Sequence, residues 1–172
     1  DWVDSAMLAI LFGDDLIWNA KTPALRQMMD VYDKYRAPVV ALEKVPESEV
    51  SHYGIVKPKP VSETLYRIEG IVEKPKKEDA PSNLAIIGKY IITPRVLEAI
   101  REVKVGEGEE LRLAHALDLV ARREEVYGLL IDGERLDCGS KIGFLKATVR
   151  FGLEHPETAE EFKEFLATIK DN

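Results

Sequence analysis

A chain of 172 residues has the length of one domain, able to bury about 68–70% of the surface that its unfolded form exposes. Its 45% hydrophobic and 32% charged residues are ordinary for a globular protein, and its net charge of −7 argues against nucleic acid, whose phosphates call for a basic face. No apolar run approaches the roughly 20 residues of a membrane-spanning helix, Asp1 and Asp4 stand where a signal peptide would be basic, and the single cysteine, Cys138, cannot form an internal disulfide, so a reducing cytoplasm is the expected setting.

Residues 6–12 are a near-continuous apolar run and read as a parallel strand covered on both faces. Thr22-Pro23 offers a hydroxyl cap and a proline at the first helical position, and Leu25, Met28, Met29, Tyr32 and Tyr35 recur at helical spacing to about residue 35. Residues 37–42 form the next strand, so strand, helix and strand make a crossover unit, expected to be right-handed. Residues 47–53 suggest a short helix ended by Gly54. Ile55-Val56, 65–68 and 71–72, separated by turn residues, predict a hairpin or an antiparallel extension of the sheet. A polar loop over 74–83 leads to a strand over 84–92 broken by Gly88, and Thr93-Pro94 repeats the helix-start signature. Helices follow at about 94–102 and 110–123, joined by a loop with Gly106 and Gly108. A strand at 126–131 runs into Asp132-Gly133, a strong tight-turn signal from which Arg135-Leu136-Asp137 returns. Helices at about 141–154 and 157–169, parted at His155-Pro156, complete an α/β alternation without repeat or linker.

Candidate chemistry starts with Gly13-Asp14-Asp15. A metal held beside phosphates is usually ligated by one or two carboxylates, and the carboxyl end of a buried strand is where open α/β sheets bind ligands. An Asp-Asp that merely caps a loop is the bland alternative. Asp137, in Leu136-Asp137-Cys138-Gly139-Ser140, reads more simply as the N-cap of the helix near Lys141. Paired in space with Asp14, it would instead clamp one cation. In Val72-Glu73-Lys74-Pro75 the lysine can neutralise a phosphate and the glutamate can accept hydrogen bonds from sugar hydroxyls, though a solvated strand end has the same composition. Gly54 allows close backbone approach to a ligand, or simply ends a helix. His52, His115 and His155 share no metal-binding spacing, and no serine lies in a nucleophile elbow.

These segments fall in a recognisable order. Gly13-Asp14-Asp15-Leu16-Ile17, Pro23-Ala24-Leu25, Tyr53-Gly54-Ile55-Val56, Val72-Glu73-Lys74-Pro75, the stretch 80–90, the stretch 137–144 and the stretch 146–153 together resemble the bacterial UTP–glucose-1-phosphate uridylyltransferases, also called UDP-glucose pyrophosphorylases. The resemblance runs from about residue 7 to 169. It implies a Rossmann-like nucleotidyltransferase fold, with a mixed, mostly parallel sheet flanked by helices and a small antiparallel extension. It further implies Mg²⁺-dependent transfer, in which glucose 1-phosphate attacks UTP to give UDP-glucose and pyrophosphate. On this resemblance Asp14 and Asp137 ligate Mg²⁺, and Asp15 lies beside them near the nucleotide. Glu73 and the Gly54 backbone hold the glucose, and Lys74 meets the phosphates, so Asp14, Lys74 and Asp137 form the catalytic set.

The chain departs from the family pattern twice. Where the family has Gly-Gly-Glu-Ile-Gln-Leu-Thr-Asp, this chain has Gly108-Glu109-Glu110-Leu111-Arg112-Leu113-Ala114-His115, which keeps the glutamate but changes the Gln, Thr and Asp. Family members also carry, before the Gly-Asp-Asp, a segment with a Gly-x-Gly-Thr-Arg phosphate loop, and no glycine-rich loop precedes residue 13 here. The resemblance therefore implies that this chain alone lacks most of a UTP site and is impaired in turnover. It also implies that strands 6–12 and 37–42 miss neighbours, and hence that the chain forms a homo-oligomer or a compact rearranged domain. An inert paralogue and a thymidylyl or adenylyl transferase are the alternative readings.

Overall fold

Strand β3 (Val39–Lys44) explains the architecture. Its first four residues are all buried, Val39 and Ala41 packing on one side of the sheet and Val40 and Leu42 on the other. Helix α1 (Ala24–Tyr35) covers the first side through Met28. Helices α2 (Pro94–Glu102) and α3 (Leu113–Ala121) cover the second through Val96, Ala99, Ala116, Leu117 and Val120. A strand is apolar where helices cover both its faces, as Val39–Leu42 are, and β3 turns polar only at its end, Glu43-Lys44. The computed structural model describes residues 7–104, 106 and 110–170; Asp1, Asp4, Ala6, Gly108 and Glu109 lie outside the described residues.

The six-stranded sheet has the order β1 (Leu8–Leu11), β6 (Leu84–Ile92), β3, β7 (Tyr127–Leu130), β5 (Leu65–Glu73), β4 (Gly54–Pro60). The β3–β7 pair is parallel and the others are antiparallel, and a bridge from Ile55 to Ala85 ties β4 back to β6. A separate two-stranded sheet joins β2 (Asp15–Trp18) to β8 (Glu134–Asp137). Helices α4 (Lys141–Glu154) and α5 (Ala159–Lys170) pack on each other, and α4 on β8. The α/β class and the antiparallel β4–β5 hairpin agree with the sequence. Among the described residues no helix is long and apolar enough to cross a membrane.

Several local expectations are corrected. The run over 6–12 is not a doubly covered parallel strand: β1 pairs antiparallel with β6 at the sheet edge, and Leu8 and Leu11 are 41% and 48% exposed. Strands β1 and β3 run parallel to each other with α1 between them in sequence, as a crossover unit requires, and β6 lies between them. Strand β3 does not lack neighbours, since it is paired on both sides. Thr22 does not cap α1; Asn19 Oδ1 instead accepts from the Lys21 and Thr22 amides, and Pro23 leads directly into the helix. The turn at Asp132-Gly133 closes no hairpin, because both edges of β7 are taken by β3 and β5, and β8 turns away to β2. Gly88 does not break β6. It sits in a bulge opposite Val40 and Ala41, within a strand that stays buried almost throughout.

Candidate functional site

The β2–β8 pair brings together the two acidic segments of the chain. Asp15 is in register with Asp137, and the Cys138 amide donates to the Asp14 carbonyl at 2.6 Å. Asp14 Oδ2 and Asp137 Oδ1 lie 3.7 and 3.1 Å from the point where a Cβ on Gly139 would sit, so both carboxylates converge on a glycine that leaves room for them. Both residues are exposed. The simpler role for Asp137, as helix cap, is filled by Ser140, whose Oγ accepts from the Gly143 amide at 3.0 Å. Asp137 Oδ1 accepts a short-range bond from the Gly139 amide, at 2.9 Å.

This donor set fits Mg²⁺. The ion takes hard oxygen ligands in an octahedron and commonly uses one or two carboxylates, with phosphate and water supplying the rest. Among the described residues no group of three or more His, Cys, Asp or Glu side chains is arranged for a metal. A site of two carboxylates thus depends on oxygens brought by a ligand.

Asp15 has a different environment. It is 7% exposed, and its carboxylate accepts from Arg135 Nε at 2.7 Å, Arg135 NH2 at 3.2 Å and the Gly88 amide at 2.9 Å. Arg135 also donates to Glu43 at 3.0 Å and to the Tyr53 hydroxyl at 3.3 Å. Burial by itself lowers the Arg135 pKa, but the hydrogen bonds to Asp15 and Tyr53 and the Asp15 charge carry it above its ordinary value. Lys89 is buried too, and its ammonium donates to the carbonyls of Phe12 and Asp15. Desolvation lowers its pKa against the opposing pull of Asp15 and Asp14. Loop 12–15 is thereby fastened from beneath, with Asp14 left facing out.

Glu73, at the end of β5, and Gly54, at the start of β4, are paired in register. They line a cavity of about 370 Å³ together with Phe12, Tyr53, Tyr90 and Arg112. Arg112 NH1 donates to Glu73 Oε1, and Glu73 Oε2 lies 3.0 Å from where a Cβ on Gly54 would be. Burial, helped by the charges of Glu73 and Asp15, pushes the Tyr90 phenol up to about 12. Lys74 follows in a left-handed conformation (φ 47°), its amide bonded to the Tyr53 carbonyl and its side chain exposed. Lys74 does not line the cavity, and among the described residues its ammonium forms no ion pair. Arg135, Lys89 and Tyr90 escaped sequence reasoning. A cation two residues before Asp137 is the one local signal for Arg135, and only the β2–β8 pairing decides which acid it meets.

Residues 2–151 match the family of nucleotidyl transferases. The chain belongs to that family. Its relatives within this family include the UTP–glucose-1-phosphate uridylyltransferase of Staphylococcus epidermidis, 36% identical over 168 residues, which are 98% of this chain and 58% of that protein. A crystal structure of UDP-glucose pyrophosphorylase complexed with UDP-glucose superposes with a TM-score of 0.81 at 38% identity, over 87% of this chain and 57% of that one. The UTP-bound enzyme from Acinetobacter baumannii gives a TM-score of 0.82 at 31% identity, over 96% and 57%. The chain therefore shares the fold of these family members and spans a little over half their length.

Proposed function

We propose that this chain carries the sugar-phosphate and metal side of a uridylyl transfer, in which the phosphate of glucose 1-phosphate attacks the α-phosphorus of UTP and UDP-glucose and pyrophosphate result. The observation that carries this reading is the convergence of Asp14 and Asp137 at Gly139, on a loop that reaches the Gly54–Glu73 cavity through Phe12. Asp14 and Asp137 would hold Mg²⁺, which when bound neutralises phosphate charge. Glu73 accepts hydrogen bonds from the hexose, the Gly54 backbone lies against the sugar, and Lys74 extends its free ammonium to the phosphates. Asp15, at the edge of the nucleotide site, secures Asp14 through Arg135. Such transfers ask little covalent work of side chains, so positioning and charge neutralisation dominate.

Isothermal titration of UDP-glucose with and without Mg²⁺ tests the reading. Binding should require the metal. Asp137→Ala should remove the metal-dependent part, and any UDP-glucose synthesis, while the far-ultraviolet circular dichroism is unchanged, because Asp137 is exposed and Ser140 caps α4. Wild-type-like metal dependence in that variant would sink the ligand assignment.

A further inference from the structure

We infer that Arg112 is a positioning residue of the hexose subsite, acting through Glu73; the inference rests on the uridylyl-transfer reading above. Glu73 supplies the carboxylate among the cavity's lining residues, and its side chain is 20% exposed. A glutamate has three rotatable bonds, so a ligand that must first immobilise it loses affinity to side-chain entropy. Arg112 removes that cost. Its guanidinium takes Oε1, while Oε2 lies over the bare Cα of Gly54, a residue that lines the same cavity. One oxygen is held and the other is offered.

Arg112 is itself anchored. It occupies the N-cap position of α3, its amide donates to His115 Nδ1 at 3.3 Å, and its NH2 lies 3.4 Å from Glu110. The start of the helix thus sets the guanidinium, and the guanidinium sets the carboxylate. The pattern that the chain resembles has a neutral glutamine at this position. A charge-assisted bond holds Glu73 more firmly than an amide would. The local balance of one arginine against Glu73 and Glu110 leaves no surplus positive charge, which argues against a role in attracting an anionic sugar.

The test is titration of UDP-glucose, and of UDP, which lacks the hexose, into the wild-type chain, Arg112→Gln, Glu73→Ala and the double variant at saturating Mg²⁺. Arg112→Gln should weaken UDP-glucose about tenfold and leave UDP unchanged, which also shows the variant to be folded. In the Glu73→Ala background, Arg112→Gln should add nothing, as expected of residues that act as a unit. The inference is overturned if Arg112→Gln leaves UDP-glucose binding intact, weakens UDP equally, or adds its full effect to Glu73→Ala. A wild-type chain that binds neither nucleotide overturns the uridylyl reading and this inference with it. Wild-type binding combined with a silent Arg112→Gln overturns the inference alone.

Discussion

Asp15 at the head of β2 turns inward to Arg135, while Asp14, in the turn one step earlier, stays exposed near Asp137. The two carboxylates therefore differ in what they can tolerate. Arg135→Met would leave the buried Asp15 carboxylate with the Gly88 amide and the charge of Lys89 but without its ion-pair partner, and removal of one partner from a buried pair costs about 3–5 kcal/mol, read as a lower urea midpoint. Arg26→Met, which breaks an exposed pair with Asp30, should cost less than about 1 kcal/mol in the same titration. Tyr90 predicts the alkaline limb. Its folded pKa of about 12 lies above the ordinary phenol value of 10.0, so between those values the folded state holds a proton that the unfolded chain has lost. Stability is then full below pH 10 and falls as pH rises through that window, on the order of 2 kcal/mol from this residue. Thermal unfolding of Tyr90→Phe should show a shallower loss there than wild type. The sequence made Asp14, Asp137, Glu73 and Gly54 visible as candidates because short motifs surround them. It could not show that Arg135 serves Asp15, since 120 residues separate them.

The bulge in β6 shows how an element is fitted to a site. Gly88 donates its amide to Asp15 and accepts the Phe12 amide at 2.8 Å, so the strand sacrifices ladder bonds to β3 in order to hold loop 12–15. A Cβ at Gly88 would meet Phe12 Cβ at 2.8 Å and Asp15 Cβ at 3.1 Å. Gly88→Ala should therefore destabilise by about 1–3 kcal/mol and also weaken metal-dependent ligand binding, both measurable on one purified variant. A glycine inside an apolar run suggested an interruption, and only the loop opposite reveals why the run continues. Helices α1 and α2 were legible within a few residues because their starting signals, Thr22-Pro23 and Thr93-Pro94, are local, and α4 because Pro156 marks the break after it. Strand β2 was missed for the opposite reason: its four residues, Asp15–Trp18, become a strand by pairing with β8 near the other end of the chain.

At the scale of the molecule, the outer face of α4 is the least satisfied surface. Ile142, Phe144 and Leu145 are each about three-fifths exposed, and Ala147 is the helix's one buried residue. With the free edge of β1, this supports the proposal that the chain self-associates. Size-exclusion chromatography should show an oligomer that Ile142→Glu with Leu145→Glu dissociates without lowering the melting temperature; a wild-type monomer at high concentration would refute it. The edge strand has one more consequence, which concerns local opening. Among the described residues strand β1 is bonded on one side alone, so its amides should exchange with solvent sooner than those of β3, and the chain leaves β1 for Asp14. Each opening of that edge loosens Asp14, on which the proposed cation site depends. Occupancy by UDP-glucose and Mg²⁺ must then oppose the opening, and hydrogen exchange at Leu8–Leu11 should slow with ligand while fraying of α5, which packs on α4 away from the carboxylates, goes on at its own rate.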